Sequence, residues 1–352
     1  MTRGRRMRRL EGLESDNLLA FLALLGLLRS LEASRPAWHV RALWDVYNQP
    51  LRPSLLAPEG QDAIAICEAA AEGAAKLAGD FSFPQSEAPE AKAQIDLDYA
   101  PRTARKLLDR VAKSRPASCA QLWSALMCDA AENDGRVEAT PLCLLFGQGH
   151  QHFLSRLAIV PRTETAPPRG RGRNIVTLTP AETLHEALFR PWTRQDPTPS
   201  FRWDPAEDVR YALRADDPSG GKSTTQHGAN RLAAIGLAML TASPFQRGMR
   251  VRLQVLGGSF ERDGFIFFWP IWRDPTSLAG VQALLCHPGL KEGPSSLAHL
   301  GVVQVMGARR INVGKFMNFT RAQPVQVNRA TSWPRDLELA GARLRQLKRG
   351  SE

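Results

Sequence analysis

Cysteine is scarce and scattered in this chain. Its 352 residues include five, Cys67, Cys119, Cys128, Cys143 and Cys286, an odd number with no CxxC pair. Neither a zinc ribbon nor a disulfide framework is indicated, and a reducing cytoplasm fits. Long apolar runs are missing too. LLAFLALLGLL (18–28) has eleven residues, whereas a bilayer needs about 20. The basic start ahead of it imitates a signal peptide, but Glu11, Glu14 and Asp16 interrupt the pattern and no small-x-small cleavage site follows. A buried helix capped by Asp16 or Asn17 and reaching Leu31 is expected instead, and no membrane partner.

Complete catalytic signatures are also absent. No GxSxG elbow occurs. GGKST (220–224) resembles the end of a P-loop, but the glycine required five positions earlier is Asp216, whose carboxylate would repel phosphates. HEALF (185–189) has Phe189 where a zinc helix needs its second histidine, and GQGHQH (147–152) offers two histidines without a third ligand. We expect no metal, no cofactor and no enzyme chemistry.

Positive charge, by contrast, is abundant and unevenly placed. The net charge is +11, yet residues 1–160 hold 19 Lys+Arg and 19 Asp+Glu, so the whole excess falls to 161–352. Such asymmetry favours a polyanionic partner, most often nucleic acid. A basic surface kept for solubility, or a coding bias toward arginine, is the plainer reading and stays open.

Along the chain, residues 36–47 read as a strand, 61–79, 103–114 and 118–131 as helices, 80–101 as loop and 140–147 as a short buried strand. PRTETAPPRGRGRN (161–174) marks a flexible basic connection. Beyond it, NIVTL (174–178) reads as a strand, 180–189 as a helix, and 250–258 with 264–272 as a hairpin. A helix over 276–287, a strand to Met306, a turn, a second basic strand and a closing helix over 334–350 follow. The expected fold is α+β, with antiparallel hairpin-based sheets, segregated helices and two lobes. The lobes are 1–160, α-rich with short strands, and 175–352, basic α+β, joined by the linker 161–174.

Two segments carry the candidate contacts. The first runs from Trp203 to Arg231 and packs five carboxylates and three glycines ahead of an apolar helix over 232–240. A loop feeding a helix leaves backbone N–H groups free, and the helix dipole favours an anion there. Arg210, Arg214, Lys222, His227, Asn230 and Arg231 are the candidates to hold a backbone phosphate. For Arg231 an internal alternative stays open, pairing with the carboxylates of 203–217. The second segment is ARRINVGKFMNFTR (308–321), with Arg309, Arg310, Lys315, Phe319 and Arg321. Cations interleaved with aromatics suit backbone contact and base stacking. An edge strand with charged gatekeepers would read the same way.

FLALLGLLRSLE (21–32), RPAWHVRALW (35–44), ALFRPW (187–192), PSFRWDPAEDVRYALRADDPSG (199–220) and QHGANRLAAIGL (226–237) together resemble the large-subunit-type proteins of type I-U, also called I-G, CRISPR effector complexes. The resemblance covers the first fifty residues and roughly 187–240. It implies a ribonucleoprotein subunit whose partners are guide RNA, target DNA, or both, and other CRISPR effector subunits. It assigns no catalytic residue. The alternatives are an enzyme acting on a nucleotide or phosphorylated substrate through 204–231, and a structural packing subunit.

Overall fold

The computed structural model describes residues 4–86, 88, 91–148, 151–170, 174–207, 224–313 and 316–326. In chain order the elements are β1 (Arg5–Arg9), α1 (Leu18–Ser34), β2 (Arg41–Trp44), β3 (Pro53–Pro58), α2 (Ala63–Ala78), α3 (Pro101–Ser114) and α4 (Ala117–Leu126). The short strands β4 (Glu132–Asn133), β5 (Arg136–Val137), β6 (Phe146–Gln148) and β7 (Gln151–His152) precede α5 (Phe153–Ile159), α6 (Pro180–Phe189) and α7 (His227–Leu237). Then come β8 (Ala242–Arg247), β9 (Arg250–Val255), β10 (Gly258–Glu261), β11 (Gly264–Trp272), α8 (Leu278–Cys286), β12 (Val302–Val313), β13 (Phe316–Phe319) and β14 (Gln323–Pro324). All strand ladders are antiparallel, and the helices cluster apart from them, so the fold is α+β.

Helix α1 is the centre. Asn17 starts it, its Oδ1 accepting from the N–H groups of Leu19 (2.9 Å) and Ala20 (3.4 Å). From Leu18 to Leu31 every residue is buried. A helix apolar all round has no solvent face and must be covered on all sides. Helices α2 and α7 supply much of that cover, and Phe21 stacks on Trp269 of β11 at 5.5 Å between centroids. Contact with α7 is backbone-close. A Cβ on Gly26 would lie 1.8 Å from the carbonyl oxygen of Leu232, and one on Gly236 would lie 2.3 Å from that of Leu22. Arg29 and Ser30 are the polar residues of that stretch, and Arg29 is the charged one. It donates to the carbonyls of Ile235 (2.9 Å) and Ser118 (3.1 Å), and burial pulls its pKa down to about 10.

The main sheet runs β10-β11-β12-β13, with β14 also on β12, while β1-β3-β2 form a three-stranded sheet. Trp272 Nε1 donates to the Ala42 carbonyl at 2.7 Å and Trp269 Nε1 to that of Ser15 at 3.2 Å, tying the main sheet to the N-terminal segment. One hydrophobic cluster runs through both halves of the chain. The α1–α7 contact therefore crosses the boundary expected at 161–174.

That expected linker is docked over its described part. The Ala166 N–H donates to Thr183 Oγ1 at 3.2 Å, and Arg169 is held by Asp196 (2.6 Å) and Glu186 (2.8 Å). Helices over 63–78, 101–114, 180–189 and 278–286 lie where periodicity and caps place them. Strand pairing departs from expectation. Residues 250–255 pair with 242–247, and 264–272 pair with 258–261 and β12. Pro244 inside β8 disguised that strand, which is tolerated because β8 lies at the edge of a two-stranded ribbon. Strand β12 continues through Met306 to Val313 without the expected turn. NIVTL makes one isolated bridge, Arg169 with Val176, and leaves Ile175 and Val176 exposed. Within 36–47 only Arg41–Trp44 is strand, and within 140–147 only the last residues are. The helix expected over 334–350 lies outside the described residues.

Candidate functional site

The flanks of the Trp203–Arg231 segment fold inward. Asp204 is 0% exposed; it accepts from Arg194 Nε at 2.6 Å and Asn17 Nδ2 at 3.0 Å, and it caps the Ala206 N–H at 3.0 Å. Trp203 Nε1 donates to the Leu142 carbonyl at 2.9 Å. Thr225 Oγ1 donates to Glu207, whose carboxyl is pushed up to about 7 by burial and then by the charge of Asp204.

Helix α7 starts on this floor, and its N-terminal anion site is already filled. Asp196 Oδ2 accepts the His227 N–H at 3.0 Å while its other oxygen takes Arg169. A second anion beside that buried carboxylate would be repelled, so the expectation that this helix turn holds a phosphate is corrected. His227 sets its Nε2 2.8 Å from the Thr163 carbonyl, and burial lowers its pKa. Asn230 Nδ2 donates to Thr225 Oγ1 at 2.7 Å. Arg231 is 0% exposed and donates from Nε to the Pro161 carbonyl at 3.1 Å. Its role is internal, and among the described residues its partners are the backbone carbonyls of Pro161 and Glu164. His227, Asn230 and Arg231 are thus corrected from contact surface to interior. Arg210, Arg214 and Lys222 lie outside the described residues.

The second segment divides across the sheet. Side chains alternate along β12, so Arg309 and Arg310 face opposite sides. Arg309 meets Asp263, donating to its carbonyl at 3.2 Å with the carboxylate at 3.7 Å. Arg321 is spoken for by Asp16 (2.9 Å) and Glu14 (3.1 Å). Phe319 is 1% exposed and packs on Phe265 at 6.3 Å, so it offers no face to a base, a correction of the stacking expectation. Lys315 lies outside the described residues. Of the expected candidates among the described residues, only Arg310 enters the basic cleft described next.

Around Phe260 of β10 the cations are gathered by topology rather than by sequence. A cleft of about 450 Å³ is lined by Arg136, Arg252, Arg310, Glu138, Phe260 and Met317, among others. The Arg252 guanidinium stands 4.6 Å from the Phe260 centroid, and Arg310 stands 5.5 Å from that of Phe265. Glu138 takes Arg252 Nε at 2.5 Å and the Leu253 N–H at 2.6 Å. Arg310 gives one bond to the Pro141 carbonyl at 3.0 Å, and burial, then the charge of Arg252, lowers its pKa. Glu138 is the one carboxylate among the described residues lining this cleft, against three arginines.

The adjoining hairpin carries more charge. Arg247 and Arg250 are directly paired across its turn, and Met249 between them is 98% exposed. Like charges directly opposite on a ladder repel. The Arg247 guanidinium donates to the Glu261 carbonyl at 3.0 Å and stands 5.8 Å from the Phe260 centroid. Sequence reading missed Arg136, Arg247, Arg250, Arg252 and Phe260. The signal that could have found them was RGMRVR (247–252), two arginines flanking a glycine turn with a third in alternation.

His152 of the GQGHQH stretch pairs with Asp96 at 2.8 Å, and His150 lies outside the described residues. Among the described residues no helix is long and apolar enough to cross a membrane. The chain matches no family model, no curated protein and no solved structure.

Proposed function

We propose that this chain is a non-catalytic nucleic-acid-binding subunit of a CRISPR surveillance complex, working in the cytoplasm on guide RNA, target DNA, or both. One observation carries the reading. Arg252 and Arg310 share a half-enclosed cleft, each over an aromatic ring, with Glu138 the one described carboxylate on its lining, while the third lining arginine, Arg136, pairs with Asp98 at 3.3 Å. Unbalanced guanidinium groups in a cleft cost electrostatic energy, and a phosphodiester relieves it by accepting their planar, paired donors. The net +11 confined to 161–352 gives the same sign over a longer range. The resemblance to type I-U effector subunits names the setting and supplies the partner subunits.

Binding is then dominated by phosphate contacts and falls steeply with salt. On single strands log affinity changes by about 0.7 per log unit of salt for each phosphate neutralised. The test is retention of oligonucleotides by the full chain at two salt concentrations, with wild type and the Arg252→Ala/Arg310→Ala variant. Expected is strong, salt-sensitive retention by the wild type and a weaker, shallower dependence in the variant. Equal retention by both proteins, or none at low salt, overturns the cleft as the contact surface. Isolation of the native assembly checks the partners: nucleic acid and other effector subunits should travel with the chain.

A further inference from the structure

Phe260 separates the arginine cleft from a second one. This neighbour measures about 440 Å³ and lies between the β8–β9 hairpin, β10 and the segment following α8. Its walls include Phe245, Phe260 and Phe268, with Ser243, His287 and Lys291 at the polar positions. Phe245 stacks on Phe260 at 5.7 Å between centroids, the rings 23° apart. Phe245 is half-buried, which leaves part of its ring to the cleft.

The polar groups are disengaged from the rest of the fold. Neither the Ser243 nor the Lys291 side chain has a hydrogen-bond or ion-pair partner among the described residues. The Gly289 N–H donates to His287 Nδ1 at 3.1 Å, so a neutral ring carries its proton on Nε2, as a free donor. A flat apolar ring, two small donors and one cation, in a space within the range of small-ligand sites, match a nucleobase and its phosphate. The location adds direction. A strand whose backbone lies against Arg252 and Arg310 passes Phe260, and its next base meets Phe245.

We propose that this second cleft takes one unpaired nucleotide of a single-stranded nucleic acid, its base stacked on Phe245 and its phosphate held by Lys291. The proposal rests on the reading of the chain as a nucleic-acid-binding subunit. A base withdrawn into a protein cleft to stack on Phe245 cannot remain paired in a duplex, so the cleft discriminates strandedness rather than sequence.

The test uses the full chain with a short oligothymidylate, a duplex of equal length, and an abasic version of the single strand. Phe245→Ala should weaken single-strand binding by about tenfold, the range for removing one aromatic–base stack. Duplex binding should be unchanged. Lys291→Gln should weaken single-strand binding less, and Phe245→Trp should restore it. The abasic strand should bind wild type and Phe245→Ala alike. If Phe245→Ala destabilises the chain, the exposed Lys291→Gln variant and the abasic strand still decide the matter. Wild-type binding with no single-strand loss in Phe245→Ala, or an equal loss on strand and duplex, overturns the nucleotide cleft alone. Failure of the wild type to bind any of these probes at low salt overturns the general reading along with it.

Discussion

Two polar clusters in the C-terminal half use the same residue types and reach opposite ends. Around the start of α7, Asp196, Asp204, Glu207, Asn230 and Arg231 are buried, and each acidic group has a cation, an amide or a hydroxyl from the same chain. Around Phe260, Arg136, Arg252 and Arg310 outnumber the carboxylate that lines their cleft. The first cluster bonds internally and holds elements together, with Glu207 Oε2 and Arg231 Nη2 left without a hydrogen-bond partner among the described residues. The second is less balanced: Glu138 takes Arg252 and Asp98 takes Arg136, while the Arg310 side chain bonds a backbone carbonyl. A polar motif dense in carboxylates pairs within the chain, whereas arginines gathered from distant stretches can outnumber the acids within their reach.

Asp204→Ala tests that contrast most severely. Removing one partner of a buried ion pair should lower stability by about 3 kcal/mol, because Arg194 and Asn17 lose their acceptor. Denaturant midpoints would show it, with binding intact below the transition. Loss of binding at an unchanged midpoint would instead return the motif to the contact surface. Arg231→Ala should follow at about 1–3 kcal/mol, the cost of losing a buried charged hydrogen bond. Its binding, measured on the folded fraction, should equal that of the wild type.

Glu207 gives a pH signature. Its folded pKa is raised from 4.5 to about 7, so between those values the folded state binds more protons than the unfolded state. Its contribution is therefore fully present below pH 4.5 and is lost as pH rises through about 7. Glu207→Gln should flatten that part of the stability–pH profile. His227 acts in the opposite sense. Its lowered pKa contributes stability above 6.5 that is lost as pH falls through the folded value. A profile unchanged by Glu207→Gln would show that the carboxyl is ionised in the fold.

Smallest in stability is the hairpin tip. Arg247→Gln with Arg250→Gln should move the denaturant midpoint by no more than about 0.5 kcal/mol, or raise it slightly by relieving like-charge pairing. The same variant should lower the salt slope of single-strand binding by about 0.7 for each phosphate it no longer neutralises. Binding with the wild-type slope would remove the tip from the interface and leave the cleft alone.

Much of this architecture was legible in local pattern. The apolar run at 18–28, with Asn17 before it, is the buried central helix. Thr179, Pro180 and Glu182 form the capping box that begins α6 at the expected position. Helix periodicity and caps are properties of neighbouring residues, so the chain itself determines them. The net charge and its confinement to 161–352 are likewise complete in the sequence. Pairing and orientation were not. Which strand 250–255 joins depends on a register that the hydrophobic pattern leaves ambiguous and Pro244 obscures. Whether Arg231 faces a ligand or the Pro161 carbonyl depends on where a segment 70 residues away docks. Arg136, Arg252 and Arg310 come from three distant stretches, and only the sheet and its hairpins bring them to one cleft beside Phe260. Local sequence decides elements and charge. The tertiary structure decides which charges are satisfied, because a partner distant in the chain must first be folded into reach.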